Sequence, residues 1–143
     1  MRIPLSPRRF LLAGSLALAS AACNSSTPTL GPGDAIRGQW VDTDVSLAAT
    51  ASGMSFVQTC SNAEFAPATL DENGDFTVVS TRYTILGNIR HFGDERLELI
   101  GHVDATQQLS LTVRVLSDSL PVSDPWAVTL HPGKVGSPPL CSA

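Results

Sequence analysis

Charge is scarce in this sequence. Of 143 residues only 15% are Asp, Glu, Lys or Arg, against roughly 25% in an average soluble domain. Basic residues are the scarcer kind: nine Lys and Arg oppose thirteen Asp and Glu, for a net charge of −4. Arg2, Arg8 and Arg9 fall in the leader described below. Without them six basic residues face thirteen acidic ones, about −7 from position 23 onward. That balance leaves no electrostatic footprint for nucleic acid or for an anionic lipid surface. Aromatic residues make up only 6%, and there are three cysteines, with no close Cys-x-x-Cys pair of the redox-active kind. A Gly-rich phosphate loop is missing, and so is a Gly-x-Ser-x-Gly nucleophile corner. What is present is a 43% hydrophobic share. It supplies one core in one domain and excludes a disordered tail or a polytopic membrane protein.

Residues 1–22 read as an export signal. Arg2, Arg8 and Arg9 form a positive n-region, and Phe10–Ala19 forms an apolar run too short to span a bilayer. Arg8-Arg9-Phe10-Leu11-Leu12 approaches a twin-arginine pattern, with Pro7 where a polar residue is usual. Ser20-Ala21-Ala22-Cys23 resembles a bacterial lipobox, with Ser20 where Leu is commonest. Lipidation at Cys23 and ordinary cleavage after Ala21 or Ala22 are the two readings. Parity favours the first. Cys60 and Cys141 can bridge in an oxidising compartment, and the third thiol then needs another use. Acyl chains contribute about 0.8 kcal/mol per buried methylene, so several would hold the protein at a membrane. The expected location is the cell envelope, with a secreted or periplasmic soluble form as the alternative. Residues 23–36, rich in Gly, Pro, Ser and Thr, are expected to be a flexible linker behind the anchor.

Residues 37–143 alternate apolar and polar positions with a period of two. Leu109, Leu111, Val113 and Val115 share one side of a strand, and Ser110, Thr112 and Arg114 the other. Leu97, Leu99, Gly101 and Val103 repeat the pattern, as do Trp126, Val128 and Leu130. Met54 with Phe56 and Phe76 with Val78 start two more inward rows. Asn73-Gly74 predicts a hairpin, Ser52-Gly53 and Asp104-Ala105-Thr106 weaker turns, and Cys60 the end of the second strand. No stretch past the leader has a helical face. The pattern predicts an all-β domain: a small antiparallel up-and-down barrel of seven or eight strands, or alternatively a β-sandwich. A Cys60–Cys141 bridge would pin the Pro-rich tail to the sheet and close a loop worth roughly 4.5 kcal/mol by chain entropy.

Gly38-Gln39-Trp40, Cys60, Leu70-Asp71-Glu72-Asn73-Gly74-Asp75-Phe76, Leu109-Ser110-Leu111-Thr112-Val113 and Cys141 occur in that order. The set resembles a group of small exported bacterial proteins, often lipoproteins, with a Gly-x-Trp opening, a Leu-Asp-x-x-Gly-x-Phe hairpin and two cysteines. The resemblance covers residues 37–141 and implies a fold, with no settled activity. Gly-x-Trp also opens lipocalins, whose Trp plugs the closed end of a ligand-holding barrel. This domain is some 40 residues shorter, and a barrel so small can be filled by its own side chains. Short eight-stranded barrels with one disulfide also occur among inhibitors of exported metalloproteases. Nothing in residues 24–36 marks an inhibitory segment.

Chemistry is thin. His91, His102 and His131 are isolated, whereas zinc needs three or four converging ligands, so no metal site is expected. Asp71-x-Asn73-x-Asp75 begins like a calcium loop, but Phe76 and Arg82 stand where Gly and a carboxylate are required. Asp42/Asp44 and Asp94/Glu95/Glu98 are carboxylate groupings without an aromatic groove, and read as solvated edges. Glu98, Arg96 and Arg114 are expected to form cross-strand pairs. Neither a catalytic residue nor a cofactor is expected. Two function classes remain: a protein-interaction or inhibitor-like module, and a small apolar-ligand barrel lined by Trp40, Phe56, Leu111 and Trp126. Trp40 and Trp126 are further expected to meet where the first and last strands close the ring.

Overall fold

The computed structural model describes residues 28–85, 93–119 and 123–136. The leader, Cys23 and Cys141 lie outside these residues. Among the described residues there are nine strands and no helix: β1 Gly38–Val41, β2 Val45–Thr50, β3 Gly53–Gln58, β4 Ser61–Phe65, β5 Asp75–Val79, β6 Arg82–Ile85, β7 Arg96–Val103, β8 Leu109–Leu116 and β9 Trp126–Pro132. Every pairing is antiparallel, and the order is β5-β7-β8-β9-β1-β2-β3-β4-β6.

The two strands at the ends of that order are consecutive in the chain, and this closes the ring. β5 pairs with β7 and β6 with β4. Ser80 and Thr81 lie between them. Ser80 N–H donates to Leu97 O at 2.8 Å, and Leu97 N–H donates to the buried Ser80 Oγ at 2.8 Å. One residue on, Thr81 N–H donates to Glu64 O at 2.7 Å. A single bent strand thus leaves one neighbour and joins the other, and the wall holds eight strands in up-and-down order. An eight-stranded ring is just wide enough for its own side chains to fill.

Alternation explains the filling. The inward rows expected at Leu97, Leu99, Gly101 and Val103 and at Leu109, Leu111 and Val113 are buried, as are Met54, Phe56, Phe76 and Leu130. Glu98 and Arg114 face each other in register on the outer wall and form an ion pair, with Arg114 Nε 2.9 Å from Glu98 Oε2. β4, which the hydrophobic pattern barely marks, adds Ala63 and Phe65 to the core.

Three expectations need correction. First, the linker does not run to residue 36. From Leu30 the chain forms a strap packed across one end of the barrel, with Ile36 1% exposed and Leu30 against the core. Gly33 N–H donates to Leu70 O, Leu70 N–H to Asp34 O and Ile36 N–H to Ala68 O, at 3.0, 2.9 and 2.9 Å. Second, Asn73-Gly74 makes a turn but no hairpin. Gly74 takes φ 82° and Asp71 Oδ1 accepts the N–H groups of Asn73 and Asp75, each at 2.8 Å. The arms go separate ways: Thr69 bridges to Ala35 in the strap, and β5 pairs with β7. Third, Cys60 does not end a strand. Thr59 and Cys60 form the two-residue turn between β3 and β4, with Cys60 at φ 62°. That left-handed conformation is one that residue type alone would not assign to a cysteine.

Candidate functional site

The barrel has two distinct ends. At the strap end lie residues 30–37, the 66–74 crossing and the Asp104–Gln108 turn. At the far end lie the Asp42–Asp44 turn, Thr59–Cys60 and residues 93–95 and 117–119. At the strap end Trp40 is fully buried, and its indole N–H donates to Gln107 O at 2.9 Å. Gln107 sits at φ 66° in the β7–β8 turn, and its side chain clamps the strap: Leu30 N–H donates to Oε1 at 2.6 Å, and Nε2 donates to Leu30 O at 3.1 Å. Gln107 therefore holds the Trp40 plug, makes the turn and latches the strap at this end.

Closure of β1 on β9 is as expected, but the two tryptophans do not meet there. Trp40 stands in register with Pro132, while Trp126 begins the same seven-residue strand. That puts them roughly 20 Å apart along β9 at about 3.3 Å per residue. β1 ends at Val41, one pair further on, so the first strand is too short to reach Trp126. Trp126 instead meets Phe56 across the interior, with ring centroids 6.3 Å apart at 43°. Such a tilted pair is a favourable aromatic arrangement. Phe56 and Leu111 are each 1% exposed, and Trp126 is partly buried.

These four residues therefore sit inward, packed by neighbours. In one cross-strand row Trp40, Leu47, Phe56, Ala63 and Tyr83 follow in register. In another Phe76, Gly101, Leu111 and Val128 do. A Cβ on Gly101 would collide with Phe76 Cε1 and Cζ and lie 3.0 Å from Leu111 Cδ2, so the missing side chain is what admits the phenyl ring. Four hollows lined by described residues border the turns, the strap and the tail. One of about 290 Å³ runs between the Val41–Ser46 stretch, Val57 and the Lys134–Gly136 tail, and Trp40, Phe56, Leu111 and Trp126 line none of these four.

The ionisable residues are dispersed. Among the described residues no three His, Cys, Asp or Glu side chains converge as metal ligands would. His91 lies outside the described residues, and His131 is exposed. His102 Nδ1 lies 2.7 Å from Asp75 Oδ1, and Ser110 follows His102 in register on β8. This Asp–His–Ser row across three strands could not be read from sequence, because it exists only through the pairing. Half the surface of each member of the Asp75–His102 pair is open to water, as in a surface ion pair.

Other carboxylates hold turns. Asp104 Oδ1 accepts Thr106 Oγ1, Thr106 N–H and Gln108 N–H at 2.6, 2.8 and 3.0 Å. The Thr106 hydroxyl leads in holding that carboxyl below its usual pKa. Asp94 Oδ2 accepts Ser117 Oγ and the N–H groups of Asp118 and Ser119, at 3.1, 2.9 and 3.0 Å. Desolvation raises the Asp94 pKa, but those bonds outweigh it and leave it lowered. Tyr83 is shifted upward, mainly by burial, with Glu95 adding to the effect and Ser61 opposing it.

Comparison of the chain with known protein families, with curated proteins and with solved structures gives no significant match.

Proposed function

We propose that this chain is an exported, lipid-anchored protein of the cell envelope whose barrel acts by contact with another protein, as an interaction or inhibitor-like module without catalysis. On this reading residues 1–22 are a signal peptide, Cys23 carries the lipid, and Cys60 is bridged to Cys141. The single observation that carries the choice of function class is the packed interior. Trp40, Phe56 and Leu111 are at most 1% exposed and line none of the four hollows bordered by described residues. A barrel that spends its interior on its own side chains has only its outer wall and turns left for recognition.

The course of the tail supports the bridge. After β9, Gly133 N–H donates to Gln39 O at 3.0 Å and Val135 N–H to Gln39 Oε1 at 2.9 Å. The tail then lies beside Val57, in the strand that leads directly into the Thr59–Cys60 turn. From Gly136 to Cys141 the chain can span at most about 17 Å.

The second reading, a small apolar-ligand barrel, rests on Trp126, which is only partly buried at the far end and stacks on Phe56. A fluorescent fatty-acid analogue separates the two. We expect no saturable uptake and no change in tryptophan emission. Stoichiometric binding that quenches Trp126 would establish the ligand reading instead. Intact-mass and non-reducing peptide analysis of the exported protein is expected to show an acyl increment on Cys23 and a Cys60–Cys141 peptide. An unmodified chain beginning at Ala22 or Cys23 would remove the anchor.

A further inference from the structure

The strap fixes where the tether leaves the barrel. Residues 30–36 are held at three points: Leu30 on the Gln107 side chain, Gly33 and Asp34 on Leu70, and Ile36 on Ala68. Pro28 and Thr29 border the same end, beside Asp34, Ala35 and Arg37. Going toward the N-terminus, only four residues, Asn24 to Thr27, lie between Pro28 and Cys23, which makes five Cα–Cα steps. Covalent geometry limits that stretch to roughly 18 Å, however it is arranged. The barrel is of comparable height. β7 has eight residues, which at about 3.3 Å each and a strand tilt near 40° stand about 20 Å tall.

We propose that the strap end faces the lipid surface and that the far end, with its turns at residues 42–44, 59–60, 93–95 and 117–119, points away from it. This orientation rests on the lipid anchor at Cys23. A leash rooted at the strap end and no longer than the barrel is tall keeps the strap end nearer the membrane than the far end. Charge does not make the approach, because the strap end carries Asp34, Asp71, Glu72, Asp75 and Asp104 against Arg37. Against an anionic leaflet these repel, but screening confines the repulsion to about 8 Å at physiological salt. The tether reaches further than that, so it accommodates the repulsion and holds the end at a small stand-off.

The two tryptophans provide the test, since Trp40 lies at the strap end and Trp126 at the far end. The lipidated full chain, purified from its own envelope, is reconstituted in phosphatidylcholine vesicles containing a dansyl-headgroup lipid. Energy transfer from tryptophan to dansyl is then measured for wild type, Trp126→Phe and Trp40→Phe. Transfer efficiency per tryptophan is expected to rise in Trp126→Phe and to fall several-fold in Trp40→Phe. Trp40 is buried and hydrogen-bonded, so its variant could fail to fold. The comparison of Trp126→Phe with wild type decides the matter alone. Unchanged or lower efficiency in Trp126→Phe, with the acyl mass present on Cys23, overturns the orientation and leaves the anchor standing. Absence of the acyl mass from the same material overturns both.

Discussion

Gly101 is the position where a single added methyl most sharply tests the packed interior. It is not among the positive-φ glycines, so its backbone would accept any residue, and only the space above it is in question. An alanine Cβ would fall well inside contact of Phe76 Cε1 and Cζ, where the optimum carbon separation is about 3.5–4.0 Å. Phe76 is 6% exposed and pinned in register between Gly101 and the interior, so the ring has little room to swing. Overpacking of this kind costs about 1–3 kcal/mol. The lost freedom of the unfolded chain returns about 0.4–1 kcal/mol. Gly101→Ala is therefore expected to destabilise by roughly 1–2 kcal/mol, or about 4–8 °C in a domain of this size. Urea titration followed by tryptophan emission and far-UV circular dichroism measures it. The discriminating arm is Phe76→Leu: combined with Gly101→Ala it should recover about 1 kcal/mol relative to additivity. A Gly101→Ala variant as stable as wild type, or a cycle that adds without coupling, would refute the placement of the ring over the glycine.

Further expectations concern the corner, the latch and the turns. Ser80→Ala strips the buried Leu97 N–H of its partner and should cost about 1–3 kcal/mol in urea unfolding; Ser80→Thr, which keeps the hydroxyl, should recover part of that loss. Gln107→Ala removes both side-chain bonds to Leu30, so amide exchange at Leu30, Gly33 and Ile36 should accelerate while exchange in β7 and β8 does not. The Asp104 carboxyl titrates lower in the folded state than in the unfolded one, chiefly through the Thr106 hydroxyl. Its stabilisation is therefore present above the unfolded value, about 3.9, and is lost as pH falls through the folded value. Asp104→Asn should make urea midpoints fall less steeply with pH below about 4. Reduction of the exported protein should lower stability by up to about 4.5 kcal/mol if Cys60 and Cys141 are joined as proposed, a loss read as a drop in urea midpoint.

The strand rows were the legible part of this fold, because alternation at Leu97–Val103, Leu109–Val115 and Trp126–Leu130 is a local property with a period of two. Three features were hidden because they depend on partners distant in sequence. The partner exchange at Ser80 is decided by Leu97 and Glu64. The strap reads as a Gly- and Pro-rich spacer until Leu70 and Gln107 are placed against it. The register that separates Trp40 from Trp126 follows from where β1 ends, at Val41. Left-handed backbone at Cys60 and Gln107 was hidden for another reason, since neither residue type is a usual occupant of that region. Of the four candidate lining residues, all lie on inward positions and only Phe56 and Trp126 form a ring contact.

The claim beneath all of this is that the sheet closes into a ring and fills itself. Nuclear Overhauser contacts in the isotope-labelled full chain test it most directly. The account predicts cross-strand backbone contacts for Val41 with His131 and for Thr81 with Glu64, together with side-chain contacts between the Phe56 and Trp126 rings. An open sheet in which β9 shows no contact with β1, or Phe56 and Trp126 rings without mutual contacts, would contradict it.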